Sequence, residues 1–105
     1  MNDYYFQRQC RTPFSESYII LGDDDKRVGH VDLHYTQNIT YGTLTVDIEM
    51  KEEDILELIE VVDDELVVSA DVPREDFVVS VYKGTEAGVY SDDIFDQGNG
   101  NGGAK

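Results

Sequence analysis

Two stretches of strict alternation constrain this chain more than any other feature. Val31, Leu33 and Tyr35 share one parity, and His30, Asp32 and His34 share the other. After a polar connection from Thr36 to Gly42, Leu44, Val46 and Ile48 alternate with Thr43, Thr45, Asp47 and Glu49. Successive side chains of a strand point to opposite faces, so this pattern suits a half-buried strand and no helix. Two such stretches around a polar loop predict a β-hairpin. A register pairing Tyr35 with Leu44, Leu33 with Val46 and Val31 with Ile48 puts both apolar sets on one face.

The flanking segments extend the sheet. Tyr4 to Gln9 is aromatic and half-alternating, and Pro13 separates it from an apolar strand at Ser17 to Leu21. Gly22-Asp23-Asp24-Asp25-Lys26 supplies a turn, because Gly permits unusual φ and Asp bonds its own backbone. Phe77 to Tyr82 reads as a further strand, with Val89-Tyr90 opening a return strand. Between these, the period changes. Ile55, Ile59, Val62 and Leu66 follow helical spacing, widened by Leu56 and Leu58. Glu52, Glu53 and Asp54 suit the first turn of that helix, whereas Asp63-Asp64-Glu65 oppose its dipole and predict a stop near Val62, short of Pro73. Leu66-Val67-Val68 fits either continued helix or a short strand. The expected order is β-β-β-β-α-β-β: an α+β fold with a mainly antiparallel sheet of about five or six strands and one amphipathic acidic helix on one face. We expect a single domain over residues 1–92 and a flexible Gly/Asn-rich tail over 93–105.

Charge narrows function. The chain has 23 Asp and Glu against 8 Lys and Arg, a formal net charge of −15. Residues 47–76 hold 13 of those acids and only Lys51 and Arg74, net −11. Polyanions repel such a surface, which argues against direct binding of nucleic acid or of an anionic membrane. No apolar run approaches the ~20 residues that span a bilayer, and the N-terminus lacks the basic and apolar segments of a secretion signal. A single cysteine, Cys10, makes no internal disulfide. The expected setting is the cytoplasm.

Glu53, Glu57, Glu60 and Asp64 recur at helical spacing opposite the apolar stripe, with no interleaved base. Like charges one turn apart repel by a few tenths of a kcal/mol, roughly 0.2–0.5 per pair. Such a stripe is either a hydrated face or one that meets a basic surface. We therefore expect a protein–protein interaction module (adaptor, accessory subunit or inhibitor) with a basic partner. Exposed ion pairs alone bind weakly, so an apolar anchor is needed, and the aromatics Tyr4, Tyr5 and Phe6 are the candidates. Tyr5 cannot share a sheet face with Tyr4 and Phe6. At least one ring must meet a second surface: a dimer mate, a partner or the chain's own Pro13-Phe14 loop.

Two alternatives follow from other features. Carboxylates one helical turn apart are spaced roughly like successive phosphates, so the helix can be read as a nucleic-acid mimic that blocks a DNA- or RNA-binding protein. The His30/Asp32/His34 face can be read as part of a metal-binding domain or metal-dependent enzyme. Strand neighbours at i and i+2 are ~7 Å apart and can share an ion, whereas i and i+4 are ~13 Å apart and cannot. Only one His with Asp32 serves, and a third ligand has to come from the facing strand, at Asp47 or Glu49. The competing explanation is a solvated strand face. Asp23-Asp24-Asp25 lacks the ligand spacing of a calcium loop. No phosphate-binding glycine loop, nucleophile elbow or Cys-x-x-Cys motif is present, so neither catalysis nor a cofactor is expected.

Overall fold

The computed structural model describes residues 3–70, 75–85 and 87–92. The predicted tail and Pro73 lie outside them. Five strands form one sheet: β1 (Tyr5–Thr12), β2 (Ser15–Leu21), β3 (Arg27–Tyr35), β4 (Ile39–Val46) and β5 (Asp76–Lys83). Their spatial order is β1-β2-β3-β4-β5. The first four are an antiparallel meander, whereas β5 runs parallel to β4. Parallel neighbours need a crossover, and the connection over residues 47–75 supplies it with helix α1 (Glu52–Val62). The fold is thus a small α+β structure of order β-β-β-β-α-β. The expected return strand does not form: Val89 and Tyr90 are exposed and lie outside the sheet.

Strand parity holds, but the hairpin register differs from the expected one by four residues. Val31 faces Leu44, Leu33 faces Gly42 and Tyr35 faces Thr40. The turn is tighter than its polarity suggested. Thr36 Oγ1 donates to the Ile39 carbonyl at 2.7 Å and accepts from the Ile39 N–H at 3.1 Å, which closes the loop over Gln37-Asn38. Thr40 and Gly42 therefore belong to the strand, and both are buried. Gly42 suits its place because a Cβ there would come within 3.0 Å of the Phe77 ring. A slip of four residues keeps every side chain on its own face, so patterning alone could not exclude it.

One face of the sheet forms the core. Tyr18, Ile20, Val31, Leu33, Tyr35, Leu44 and Val46 cluster with Leu58, Val62, Leu66 and Val67 from the helical segment. Burying a side chain of this size contributes about 1.5–3 kcal/mol. Leu58 is fully buried, whereas Leu56 is 59% exposed. Two residues apart is about 200° around a helix, so the two leucines could not both face the sheet. The α-helix ends at Val62, where the run of acids begins, yet the path stays helical: a π turn covers Asp63–Val67 and a 3-10 turn Val68–Ala70. The wider turn returns the chain to the core five residues after Val62, and Leu66 and Val67 are both buried as a result.

Candidate interaction surfaces

Three regions collect the candidate residues. The first is the outward side of α1. Glu53 and Glu60, with Asp64 on the π turn that follows, are exposed, and Glu57 is half-buried because it flanks the side that meets the sheet. Among the described residues none of the four pairs with a base. Leu56 lies one turn from both Glu53 and Glu60 and is exposed with them. Sequence reasoning placed Leu56 in the apolar stripe and so passed over it as a surface group. Its angular position relative to Leu58 was the available signal.

The second is the N-terminal strand, which the structure divides. Tyr4 is buried in the core cluster, and Phe6 packs against it with its ring edge-on to Tyr18 at 6.4 Å between centroids. Tyr4 offers no free surface to a partner, and half-buried Phe6 offers little. Tyr5 is exposed, but its register with Leu21 places it on the sheet face away from α1. The helix carboxylates and the N-terminal aromatics therefore do not form one composite surface. Strand alternation and one-sided helix packing together separate them.

The third is the sheet face away from α1, which no described element covers. His30, Asp32 and His34 lie on it in line, as parity predicted, with Thr43, Thr45 and Tyr41 opposite them on β4. Asp32 accepts a hydrogen bond from the Ser17 hydroxyl, and His30 Nε2 lies 3.8 Å from its Oδ1. Asp47, the suggested third ligand, is held by Arg27 at 2.9 Å instead. Glu49 pairs with Lys83. Among the described residues no three His, Cys, Asp or Glu side chains gather as a metal site. Arg27, His30, Thr45, Asp47, Gly84 and Thr85 border a depression of about 300 Å³ at one end of this face. At the tip of the β2–β3 connection, Asp24 and Asp25 adopt φ of 59° and 58°, a left-handed turn closed by the Gly22 N–H on the Lys26 carbonyl at 2.8 Å. Asp is among the few residue types that enter this region readily, which accounts for the acid run as turn chemistry.

One cluster went unread in the sequence. Glu16 sits on the core side of β2 and is only 8% exposed. It accepts a hydrogen bond from the Tyr18 hydroxyl, and Arg11 Nε approaches its other oxygen at 3.7 Å. Burial, and then the nearby Glu16 charge, push the Tyr35 hydroxyl up to about 12. Burial also raises Tyr18, with its hydrogen bond to Glu16 adding to the effect. The i, i+2, i+4 parity of Glu16, Tyr18 and Ile20 carries the signal, and a strand expected to begin at Ser17 leaves Glu16 out of it.

No helix among the described residues is long and apolar enough to cross a membrane. In comparisons with known proteins no family model matches the chain, and no curated protein or solved structure matches it. The functional reading therefore rests on the residues themselves.

Proposed function

We propose that this protein is a small acidic interaction module, an adaptor, accessory subunit or inhibitor, that offers the carboxylates of α1 to a basic surface on another protein. The observation that carries the reading is the concentration of charge: residues 47–76 hold net −11 of the chain's −15, and Glu53, Glu60 and Asp64 in that segment are exposed and, among the described residues, paired with no base. Such a field steers a cationic partner and speeds encounter, an effect that salt screens over about 8–10 Å. Leu56, exposed between Glu53 and Glu60, replaces the N-terminal rings as the apolar anchor. Glu57 contributes from the flank.

The test is capture from host lysate at low and high salt, with three versions of the full chain. The unaltered chain should retain a basic protein at low salt and release it at high salt. The Glu53→Lys/Glu60→Lys variant should lose it, and Leu56→Ala should weaken it. Capture that survives the charge reversal would sink the proposal. Competition by added DNA or RNA would identify the nucleic-acid mimic within this class, and its absence would leave a simple acidic adaptor.

A further inference from the structure

The sheet face away from α1 is lightly charged for so acidic a chain. Among the described residues it carries three carboxylates, Asp32, Asp47 and Asp76, against Arg27, a net −2 where the whole chain has −15. All three are already engaged within the chain: Asp32 by the Ser17 hydroxyl, Asp47 by Arg27, and Asp76 by the Phe77 N–H at 2.7 Å. Around them stand Tyr5, Tyr41, Val78 and Tyr82, between 42% and 59% exposed, with Ile19 half-buried among them. Aromatic side chains at this density, with few net charges, characterise the core of a protein interface rather than ordinary solvent-facing surface.

We propose that this face binds a second copy of the same chain, forming a sheet-on-sheet dimer with both α1 helices outward. Charge chooses the occupant. A basic partner gains little here, because the described residues of this face hold only a net −2, and the net −15 of the chain repels nucleic acid. A second copy meets its own near-neutral face. Stacked sheets lie about 10 Å apart, and a helix layer of similar depth outside each keeps the two carboxylate stripes more than about 25 Å apart, roughly three Debye lengths at physiological salt. Mutual repulsion is thereby screened. The area suffices as well. Five strands at about 4.8 Å spacing and about 26 Å long present roughly 600 Å² per copy, which reaches the lower end of stable interfaces at about 1,200 Å² in total. The contact does not rest on the acidic-helix reading, although the two together would give one particle with two opposed acidic faces.

Sedimentation of the full chain, from low micromolar to about 1 mM, reads the proposal directly. The 11.9 kDa chain should approach twice that mass with rising concentration. Tyr41→Glu with Tyr82→Glu should weaken association at least roughly thirty-fold, the effect of losing one hot-spot side chain. Glu53→Lys with Glu60→Lys, which tests the helix, should leave association in place. A monomer across the whole range overturns the dimer. So does association that persists undiminished in the folded Tyr41/Tyr82 variant, since the contact would then use a strand edge or the helix. Hydroxyl-radical footprinting of the unaltered chain covers a variant that fails to fold. Tyr41 and Tyr82 should become protected as concentration rises while Phe14 and Tyr90 do not, and equal labelling at all concentrations refutes the interface.

Discussion

The two faces of the one sheet are built from the same strands and differ in almost everything else. On the helix side, Ile20, Val31, Leu33 and Leu44 meet Leu58 and Val62, and little of these side chains is exposed. On the other side, the residues between them, Ile19, His30, Asp32, Thr43 and Thr45, are only half-buried, flanked by exposed Tyr41 and Tyr82. Alternation makes this possible: a strand supplies each face with every second residue, so one face can be selected for packing and its neighbour for contact. The comparison teaches that stability and recognition can be separated here at the level of single residues. A substitution should disturb one or the other according to its parity.

Four measurements would break or sharpen that division. The largest effect is expected at the centre of the packed side. Leu58→Ala should lower unfolding free energy by about 2–5 kcal/mol, read by urea denaturation, because the cavity cannot fully collapse. A loss below about 1 kcal/mol would mean that the helix does not seal the sheet. Gly29→Ala comes next. A Cβ at Gly29 would collide with the Thr45 carbonyl oxygen, so β3 and β4 must part. A loss of about 1–3 kcal/mol is expected from such overpacking.

The third concerns the tyrosines of the packed side. The folded state holds the Tyr35 proton to about 12, against 10.0 for an unperturbed tyrosine. The unfolded chain releases that proton first. The stability linked to Tyr35 is therefore complete below pH 10 and is lost as pH rises toward 12. The loss should be of the order of 2 kcal/mol, and Tyr18, shifted in the same direction, adds to it. In Tyr35→Phe the alkaline decline should shrink. At neutral pH this variant should match or slightly exceed the parent, because the Tyr35 hydroxyl is buried without a hydrogen-bond partner among the described residues. An unchanged alkaline profile would place the titration elsewhere. The smallest effect belongs to the open side: Tyr82→Ala in dilute, monomeric solution should change stability by no more than about 0.5 kcal/mol. A larger loss would show that the open face contributes to the fold itself.

The candidate surfaces were legible to different degrees. The outward position of Glu53 and Glu60 follows from spacing alone, since about 100° per residue puts them away from Leu58 and Val62, whereas Asp64 sits on the π turn beyond α1 and Glu57 is half-buried. Their partner could not, because charge names a sign and not a molecule. Tyr4 and Phe6 were read as contact residues because aromatics serve cores and interfaces alike. Only the packing of Phe6 on Tyr18 and the burial of Tyr4 in the core cluster decide between the two uses. Glu16 is harder to read as a buried acid because, although Tyr18 lies two residues along its own strand, Arg11 reaches it from the neighbouring strand.

By itself the sequence determined which side chains share a face, where the helix begins, and that most of the negative charge falls in the segment containing it. These follow from local periodicity and composition, which need no distant contact. Tertiary structure alone decided the four-residue offset of β3 on β4, the parallel seat of β5, and the separation of Tyr5 from the helix carboxylates. Each of these depends on matching surfaces far apart in the chain. Gly42 illustrates the reason: nothing around residue 42 announces that the ring of Phe77 will lie against it, and only the closed crossover brings the two together.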